Sequence, residues 1–114
     1  MIDCLFCKIV KGEIPAQVIY HDEKVLAFND ISPQAPQHKL VIPLKHIATL
    51  NALEAEDTLL TGHLVQTATQ LAKEFGMAEA GYRLVMNCNA SAGQTVFHLH
   101  LHLLGGRQML WPPG

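Results

Sequence analysis

Short apolar runs separated by polar turns make up much of the chain, and most have the length of β-strands. Residues 17–29 contain VIY and VLAF around the polar turn HDEK, a pattern typical of a β-hairpin. The proline-containing loop DISPQAPQ precedes a third run, HKLVIP, which ends at Pro43. Two further runs, YRLVMN and FHLHLHLL, flank the loop CNASAGQTV. The pattern predicts five strands.

The segment between the third and fourth runs has helical periodicity instead. Leucines and a phenylalanine recur at helical spacing over residues 60–75, acidic residues precede them, and Gly76 stands where such a helix would end. A short helix is also expected near residues 4–11. The order β-β-β-α-β-β, with connections of hairpin length, predicts an α+β fold whose five-stranded sheet is mainly antiparallel.

The last apolar run carries the chemistry, because His98, His100 and His102 alternate in it with leucines. Alternation with a period of two indicates a strand with three imidazoles on one face. A strand rises about 3.3 Å per residue, so His98 and His102 are too far apart for all three to bind one metal ion easily. A single histidine there would be an ordinary solvated residue. Three in register indicate chemistry near neutral pH, where imidazole titrates.

Composition and charge exclude several classes of function. The chain has 114 residues, of which 49% are hydrophobic and 16% charged, so we expect a single domain over residues 1–114 and a homodimer that buries apolar surface. A formal charge of −2 offers no basic stripe for DNA or RNA. The chain has no apolar stretch of the roughly 20 residues that span a bilayer and no signal-peptide pattern, so we expect no membrane association and a cytoplasmic location.

The run HLHLHLL resembles the His-x-His-x-His-x-x motif, with x apolar, of the histidine triad superfamily of nucleotide hydrolases and transferases. The segments AFNDISPQAPQHKLVIPLKHI, GQTVFHLHLHLLGGRQM and WPPG resemble the Hint branch, the histidine triad nucleotide-binding proteins, and extend the likeness over almost the whole chain. The resemblance implies a HIT-like fold and a homodimer whose sheet continues across both subunits. It also implies hydrolysis of purine nucleoside phosphoramidates and lysyl- or aminoacyl-adenylate-like compounds, with no catalytic metal and with AMP and GMP as ligands.

Other functions remain open at this point. Other branches of the superfamily hydrolyse dinucleoside polyphosphates or transfer nucleotidyl groups. A nucleotide- or zinc-binding regulatory protein is the alternative from another class, although an intact set of three histidines argues against binding alone.

The resemblance assigns the nucleophile to His100, the middle histidine. It would attack the α-phosphorus, expel the amine and form a nucleotidyl-histidine that water hydrolyses. The flanking histidines would orient it or handle protons, with an imidazolium as the acid for the amine, and a loop would present backbone N–H groups and side chains to the phosphate. The remaining catalytic positions implied are His38, His98, His102, Gln94 and Thr95, where Thr95 replaces the serine usual in Hint proteins.

The same resemblance assigns the nucleotide contacts. Asp30 would accept hydrogen bonds from the ribose hydroxyls, Asn87 would contact the sugar–phosphate side, Gly93 would let the backbone approach the phosphate, and Trp111 would reach the partner subunit's site. The apolar slot for the base would consist of Phe6, Ile9, Ile14, Phe28 and Ile31, which are also plausible as ordinary core residues. The departures from the Hint pattern are Asn29, Cys88 and Asn89.

Three cysteines, an odd number, argue against a disulfide framework. Cys4 and Cys7 form a CxxC pair, which needs two further ligands to make a tetrahedral zinc site. The resemblance supplies His46 and His98, so a structural zinc held by these four residues is one hypothesis. The alternative is that both cysteines are small buried hydrophobic residues on a short helix.

Overall fold

The computed structural model describes residues 3–114, which contain two α-helices and five β-strands. In chain order the elements are α1 (Leu5–Val10), β1 (Val18–His21), β2 (Val25–Asn29), β3 (Gln37–Pro43), α2 (Thr58–Glu74), β4 (Tyr82–Val85) and β5 (Leu101–Gly105). The strands form one sheet in the spatial order β1-β2-β3-β5-β4, and every neighbouring pair is antiparallel. The predicted α+β fold, with one long and one short helix, is confirmed.

A different helix covers each face of the sheet. Side chains alternate along the strands, so each strand contributes residues to both faces. On one face, Val41 of β3 and Leu103 of β5 are buried against Leu64 of α2. On the other face, Leu40 of β3 lies opposite His102 of β5 in the strand register. The buried cluster on that second face consists of Cys4, Phe6, Leu26, Phe28, Leu40 and Ile42. Helix α1 and the histidines therefore share one side of the sheet.

Helix α2 begins after an acidic turn, as its sequence pattern predicts. Glu54 and Asp57 close that turn with reciprocal hydrogen bonds between side chain and backbone. Asp57 also accepts a hydrogen bond from Lys45 Nζ at 2.6 Å, which ties the start of α2 to the segment after β3. Beyond its last residue, Gly76 has a φ of 75°, a conformation that glycine adopts without strain. Within residues 3–114, neither helix has the length and hydropathy needed to cross a membrane.

The predicted fifth strand is too long at its N-terminal end. FHLHLHLL was expected to be strand throughout, but β5 begins at Leu101, and its ladder with β3 ends where Leu101 faces Val41. The reason lies in β3, which ends at Pro43: proline has no amide hydrogen for a ladder bond, and the Pro43 carbonyl accepts a hydrogen bond from the His98 ring. The fourth strand also stops early, at Val85 rather than at the end of YRLVMN.

Candidate active site

The imidazoles of His98, His100 and His102 lie on the side of the sheet that α1 covers. The Phe6 ring of α1 contacts His100 edge-on with ring centroids 5.1 Å apart, and its centroid is 6.0 Å from that of His98. The ring centroids of His100 and His102 are 5.0 Å apart. The shared face predicted from the alternation is confirmed, although the first two histidines precede β5.

One hydrogen bond fixes the tautomer of His100. Its Nδ1 lies 2.7 Å from the carbonyl oxygen of His98, and a carbonyl can only accept. Nδ1 therefore carries the hydrogen and Nε2 carries the lone pair. A neutral imidazole in this tautomer is ready to act as a nucleophile through Nε2.

His38 and His102 form a hydrogen-bonded pair whose tautomers follow in the same way. The backbone N–H of Gln34 donates to His38 Nδ1 at 3.0 Å, so the His38 hydrogen is on Nε2. The His38 Nε2–H group donates to His102 Nδ1 at 2.9 Å, so the His102 hydrogen is on its own Nε2. The Asp30 carboxylate lies 3.5 Å from His38 Nε2. These contacts lock the orientation of both rings.

Burial keeps both rings of this pair neutral near pH 7. Desolvation lowers the pKa of His38, against the opposing effect of the Asp30 carboxylate. Desolvation, together with the neighbouring His100 and His38, lowers the pKa of His102 to about 4. The neutral forms of these two rings do not supply the imidazolium acid expected from the sequence.

The loop before the histidines is held mainly by its own hydrogen bonds. The buried Gln94 amide accepts from Asn89 N–H at 2.8 Å and donates to the carbonyls of Ala48 at 2.9 Å and Val96 at 3.1 Å. The N–H groups of Gly93 and Gln94 also donate inside the loop. A phosphate contact by Gln94 would require exchanging one of these bonds, so its observed role is to shape the loop. Gly93 has a φ of 89°, which explains a glycine there.

A cavity of about 260 Å³ lies between α1, the loop and the histidines. We call it the nucleotide cavity, after the ligand that the family resemblance implies for it. The predicted residues that line it are Phe6, Ile9, Phe28, Asp30, Ile31, Thr95, His100 and His102. The predicted nucleotide contacts that do not line it are Ile14, Asn87, Gly93 and Trp111. Trp111 is 83% exposed in the tail, which Arg83 anchors by a 2.9 Å bond to the Leu110 carbonyl.

Sequence reasoning missed several residues that line this cavity. They are Leu5, Pro15, Ala16, Leu40 and Val96, and Asn29, a departure from the Hint pattern, lines the cavity too. A signal for one of them was present, because Leu40 follows His38 by two positions and must lie on the same face of β3. The sequence carries no such signal for Leu5, Pro15 and Ala16, because their position depends on where α1 docks, which is a tertiary contact.

The two cysteines of the CxxC pair meet two histidines. His98 Nδ1 lies 3.4 Å from Cys4 Sγ and 3.5 Å from Cys7 Sγ. His46 Nδ1 lies 3.2 Å from Cys7 Sγ and 3.3 Å from His98 Nδ1. Since His98 Nε2–H donates to the Pro43 carbonyl at 2.8 Å, its Nδ1 lone pair points at the other three groups. Two sulfurs and two ring nitrogens within 4.8 Å of one another fit a tetrahedral zinc site, and simple hydrophobic burial does not explain the converging nitrogens.

Asp30, His38 and His102 also lie close enough together to suggest a metal site. The arrangement differs from the cysteine cluster, because His38 turns its Nε2 hydrogen, and not a lone pair, toward the His102 ring. A metal ion needs a lone pair at that position. We therefore describe this group as a hydrogen-bonded pair with a neighbouring carboxylate.

A family model described as HIT domain matches residues 11–109 of the chain. The purine nucleoside phosphoramidase of Escherichia coli strain K12 is 48% identical over 107 residues, which cover 94% of this chain and 90% of that protein. An uncharacterised HIT-like protein of Synechococcus elongatus is 52% identical over 112 residues, covering 98% and 97%. The crystal structure of a HIT family hydrolase from Legionella pneumophila Philadelphia 1 superposes with a TM-score of 0.96 at 57% identity, covering 98% of this chain and all of that one. A HIT family hydrolase from Clostridium thermocellum has a TM-score of 0.92 at 47% identity, covering 96% and 95%.

Proposed function

Since the chain belongs to the HIT domain family, whose similar members include hydrolases, we propose that it hydrolyses the P–N bond of purine nucleoside 5′-phosphoramidates. Adenosine phosphoramidate and lysyl-adenylate-like compounds are the substrates we assign, with AMP and GMP as the nucleotides bound. The observation that carries the proposal is the tautomer of His100, whose Nε2 lone pair belongs to a residue lining the nucleotide cavity. The name of the Escherichia coli relative supports the choice of a P–N bond.

The proposed reaction has two steps. In the first, the His100 Nε2 lone pair bonds to phosphorus, and the P–N bond breaks with its electron pair going to the amine nitrogen. The charge that forms on the ring is stabilised by the hydrogen bond from Nδ1–H to the His98 carbonyl. In the second, water attacks phosphorus, the P–Nε2 bond breaks with its pair returning to the ring, and the nucleoside monophosphate leaves.

The departing amine needs one proton, which we assign to solvent at the open side of the cavity. His38 and His102 form a neutral pair, so their proposed role is to position His100 and the phosphate. The second step returns one proton to solvent when water loses its hydrogen. Protons and electron pairs therefore balance over the cycle.

The nucleotide cavity offers separate surfaces for the base and the ribose. Phe6 and Phe28 meet edge-on at 5.5 Å on its apolar side, where a purine ring would lie, and Ile31 stands at its exposed rim. The Asp30 carboxylate lines its polar side, where it would accept hydrogen bonds from a vicinal diol. This arrangement favours ribonucleotides over deoxyribonucleotides.

We further propose a homodimer in which the sheet continues from one subunit to the other. Strand β4 is an edge strand with half-buried residues, and an unpaired edge is a site for strand addition. The exposed Trp111 would then be available to the partner's site. We place the activity in the cytoplasm, where the three cysteines, none of which forms a disulfide, stay reduced.

The test of the hydrolase proposal is single-turnover and steady-state hydrolysis of adenosine 5′-phosphoramidate, followed by release of AMP. We expect His100→Ala to lower kcat/KM by about 10³-fold or more, because it removes the nucleophile. His21→Ala is the matched control, since His21 is an exposed histidine on β1. Absence of turnover by the wild-type protein, or an active His100→Ala variant of native fold, would refute the proposal.

We also propose that Cys4, Cys7, His46 and His98 bind a structural zinc ion. The bonds from the ion to its four ligands would tie α1 to His46, in the segment after β3, and to His98. Without a cation, burial raises the pKa of the Cys7 thiol, and the nearby Cys4 acts in the same direction. Zinc would stabilise the thiolates that burial disfavours.

Metal content tests this site directly. Protein purified without added zinc is expected to contain about one zinc per chain, as a tetrahedral site holds one ion. Cys7→Ser should abolish that content, whereas Cys88→Ser, which changes the cysteine outside the cluster, should retain it. Zinc well below one per chain in the wild-type protein would contradict the proposal.

A further inference from the structure

Arg107 lies just after β5 and reaches across to the loop between β2 and β3. Its Nε–H group donates to the Gln34 carbonyl at 3.1 Å, and its Nη1 group donates to the Gln108 carbonyl at 3.1 Å. The guanidinium is therefore held at two points in one orientation. The bond to Gln34 joins residues that are 73 positions apart in the sequence, so it ties the C-terminal segment to the loop.

These two segments approach each other closely because of a glycine. Gly106 has a φ of 91°, and a Cβ atom on this residue would lie 2.9 Å from Cβ of Pro36, well inside the normal contact distance of two carbon atoms. Glycine meets both requirements without strain. The segment after β5 therefore packs on the loop at Gly106, and the next residue, Arg107, is placed at the Gln34 carbonyl.

Gln34 is the point where this contact meets the active site. Its backbone N–H donates to His38 Nδ1 at 3.0 Å, and its side-chain amide donates to the Ser32 carbonyl at 2.9 Å. Gln34 is exposed, whereas the His38 ring is buried. Packing therefore holds the ring, but the position of Gln34 depends on hydrogen bonds. The bond from Arg107 comes from outside the loop and fixes the Gln34 backbone against the rest of the protein.

The Gln34 N–H group decides the direction of the hydrogen bond between His38 and His102. An N–H group can only donate, so His38 Nδ1 accepts and the His38 hydrogen is on Nε2. Without this donor the neutral pair could reverse, with His102 donating from Nδ1 to His38 Nε2. The two directions differ at the far nitrogen of the pair. In the observed direction His102 Nε2 carries a hydrogen, and in the reversed direction it carries a lone pair.

The state of His102 Nε2 matters because His102 lines the nucleotide cavity. Within residues 3–114 no group hydrogen-bonds to this nitrogen, and it is not fully buried, so a ligand can reach it. The oxygens of a phosphate group accept a hydrogen bond from N–H, whereas a lone pair repels them. Burial lowers the pKa of His102 to about 4, so the ring does not gain a second hydrogen near pH 7. The direction of the pair therefore decides whether the ring attracts or repels phosphate.

We infer that Arg107 is a positioning residue that acts through Gln34. It fixes the direction of the His38–His102 hydrogen bond, so that His102 presents an N–H group to the phosphate. This role rests on the nucleotide binding proposed above and adds to the site a residue that does not line the nucleotide cavity. The role requires a donor to the Gln34 carbonyl, and Arg107 does not touch the reacting atoms.

The first measurement is the tautomer of each ring, read from the ¹⁵N chemical shifts of the histidine side chains at pH 7.5. In the wild-type protein, His38 and His102 should both carry the hydrogen on Nε2. Any other result overturns the inference, and this test does not depend on the folding of a variant. We expect Arg107→Met, which removes the donor, to increase the Nδ1–H form of His38. Arg107→Lys, which can still donate, should restore the wild-type shifts.

The second measurement compares two ligands that differ only in the phosphate. Calorimetry gives the Kd of AMP and the Kd of adenosine, and the quantity compared is the ratio of the adenosine Kd to the AMP Kd. General damage to the cavity weakens both ligands and leaves this ratio unchanged. We expect Arg107→Met to lower the ratio about tenfold, a loss typical of one hydrogen bond to a charged group. Arg107→Lys should retain most of it.

Arg83→Met is the matched control for the tautomer. Arg83 also donates to a backbone carbonyl, that of Leu110 at 2.9 Å, so it anchors the C-terminal tail without a hydrogen bond to the loop. Its loss should leave the His38 shifts unchanged. If Arg83→Met alters these shifts as much as Arg107→Met does, loss of the tail anchor is the cause and the inference is overturned.

A changed His38 tautomer together with a lower ratio in Arg107→Met supports the inference. A lower ratio with unchanged His38 shifts means that the Arg107 charge acts on the phosphate directly, which overturns it. A changed tautomer with an unchanged ratio overturns it as well. In the last two cases AMP binding and P–N hydrolysis by the wild-type protein leave the proposed function standing. If the wild-type protein binds AMP no better than adenosine, both the proposed nucleotide site and the role of Arg107 fail.

Discussion

The low pKa of His102 makes the protein sensitive to mild acid. In the folded chain burial, followed by the neighbouring His100 and His38 rings, lowers the pKa of this ring from 6.5 to about 4. In the unfolded chain the ring is solvated and keeps the ordinary value. Between these two values the unfolded state therefore binds more protons than the folded state. The free energy of unfolding must decrease as the pH falls through this range.

The size of the effect follows from the two values. With 6.5 for the unfolded chain and about 4 for the folded one, the contribution is small at pH 7.5 and amounts to a loss of about 2 kcal/mol at pH 5. The loss grows to about 3 kcal/mol at pH 4. Burial lowers the pKa of His38 as well, so this ring adds to the loss in the same direction.

Urea denaturation at pH 7.5 and pH 5, at one fixed protein concentration, measures the total effect. His102→Gln isolates the contribution of this ring, since glutamine can still accept from His38 but does not titrate. We expect the variant to lose about 2 kcal/mol less than the wild-type protein between these pH values. An NMR titration should give His102 a midpoint near 4. A midpoint near 6.5, or identical acid sensitivity in both proteins, would refute the argument.

Three further substitutions test the framework around the site. Phe6→Ala removes the ring that contacts Phe28 and His100, so it should weaken AMP binding in calorimetry and lower stability by about 3–5 kcal/mol. Gln94→Ala leaves Asn89 N–H unpaired, so kcat should fall and hydrogen exchange of residues 89–96 should accelerate, unlike in Gln66→Ala on exposed α2 surface. Leu64→Ala should cost about 2–5 kcal/mol in urea denaturation, against about 0.5 kcal/mol or less for Leu59→Ala.

The histidine site was only partly predictable from sequence. The alternation in HLHLHLL correctly placed three imidazoles on one side, because side-chain direction in an extended chain depends only on local geometry. The alternation did not show that the three rings have different surroundings. His98 is fully buried among two cysteines and His46, whereas His102 pairs with His38. These partners are distant in sequence and meet only when the sheet forms.

The cysteine pair shows the same division. Cys7 lies on α1 and Cys4 caps its N-terminus, where Cys4 Sγ accepts a hydrogen bond from Cys7 N–H, a local interaction. Whether that helix carries a metal site depends on where it docks. Docking brings it to His46 and His98, and the resemblance named these residues while the pattern of the sequence did not.

The sequence by itself determined the number and order of the strands, the long helix and its start and end, and which residues alternate to one face. These features depend on periodicity, capping and proline, which act within a few residues. The tertiary structure decided that β5 begins only at Leu101, that Gln94 is used to hold its own loop, and that the His38–His102 pair is neutral. These features depend on the end of a neighbouring strand, on a long-range hydrogen bond and on burial. All three are tertiary interactions, which form only when distant parts of the chain pack together.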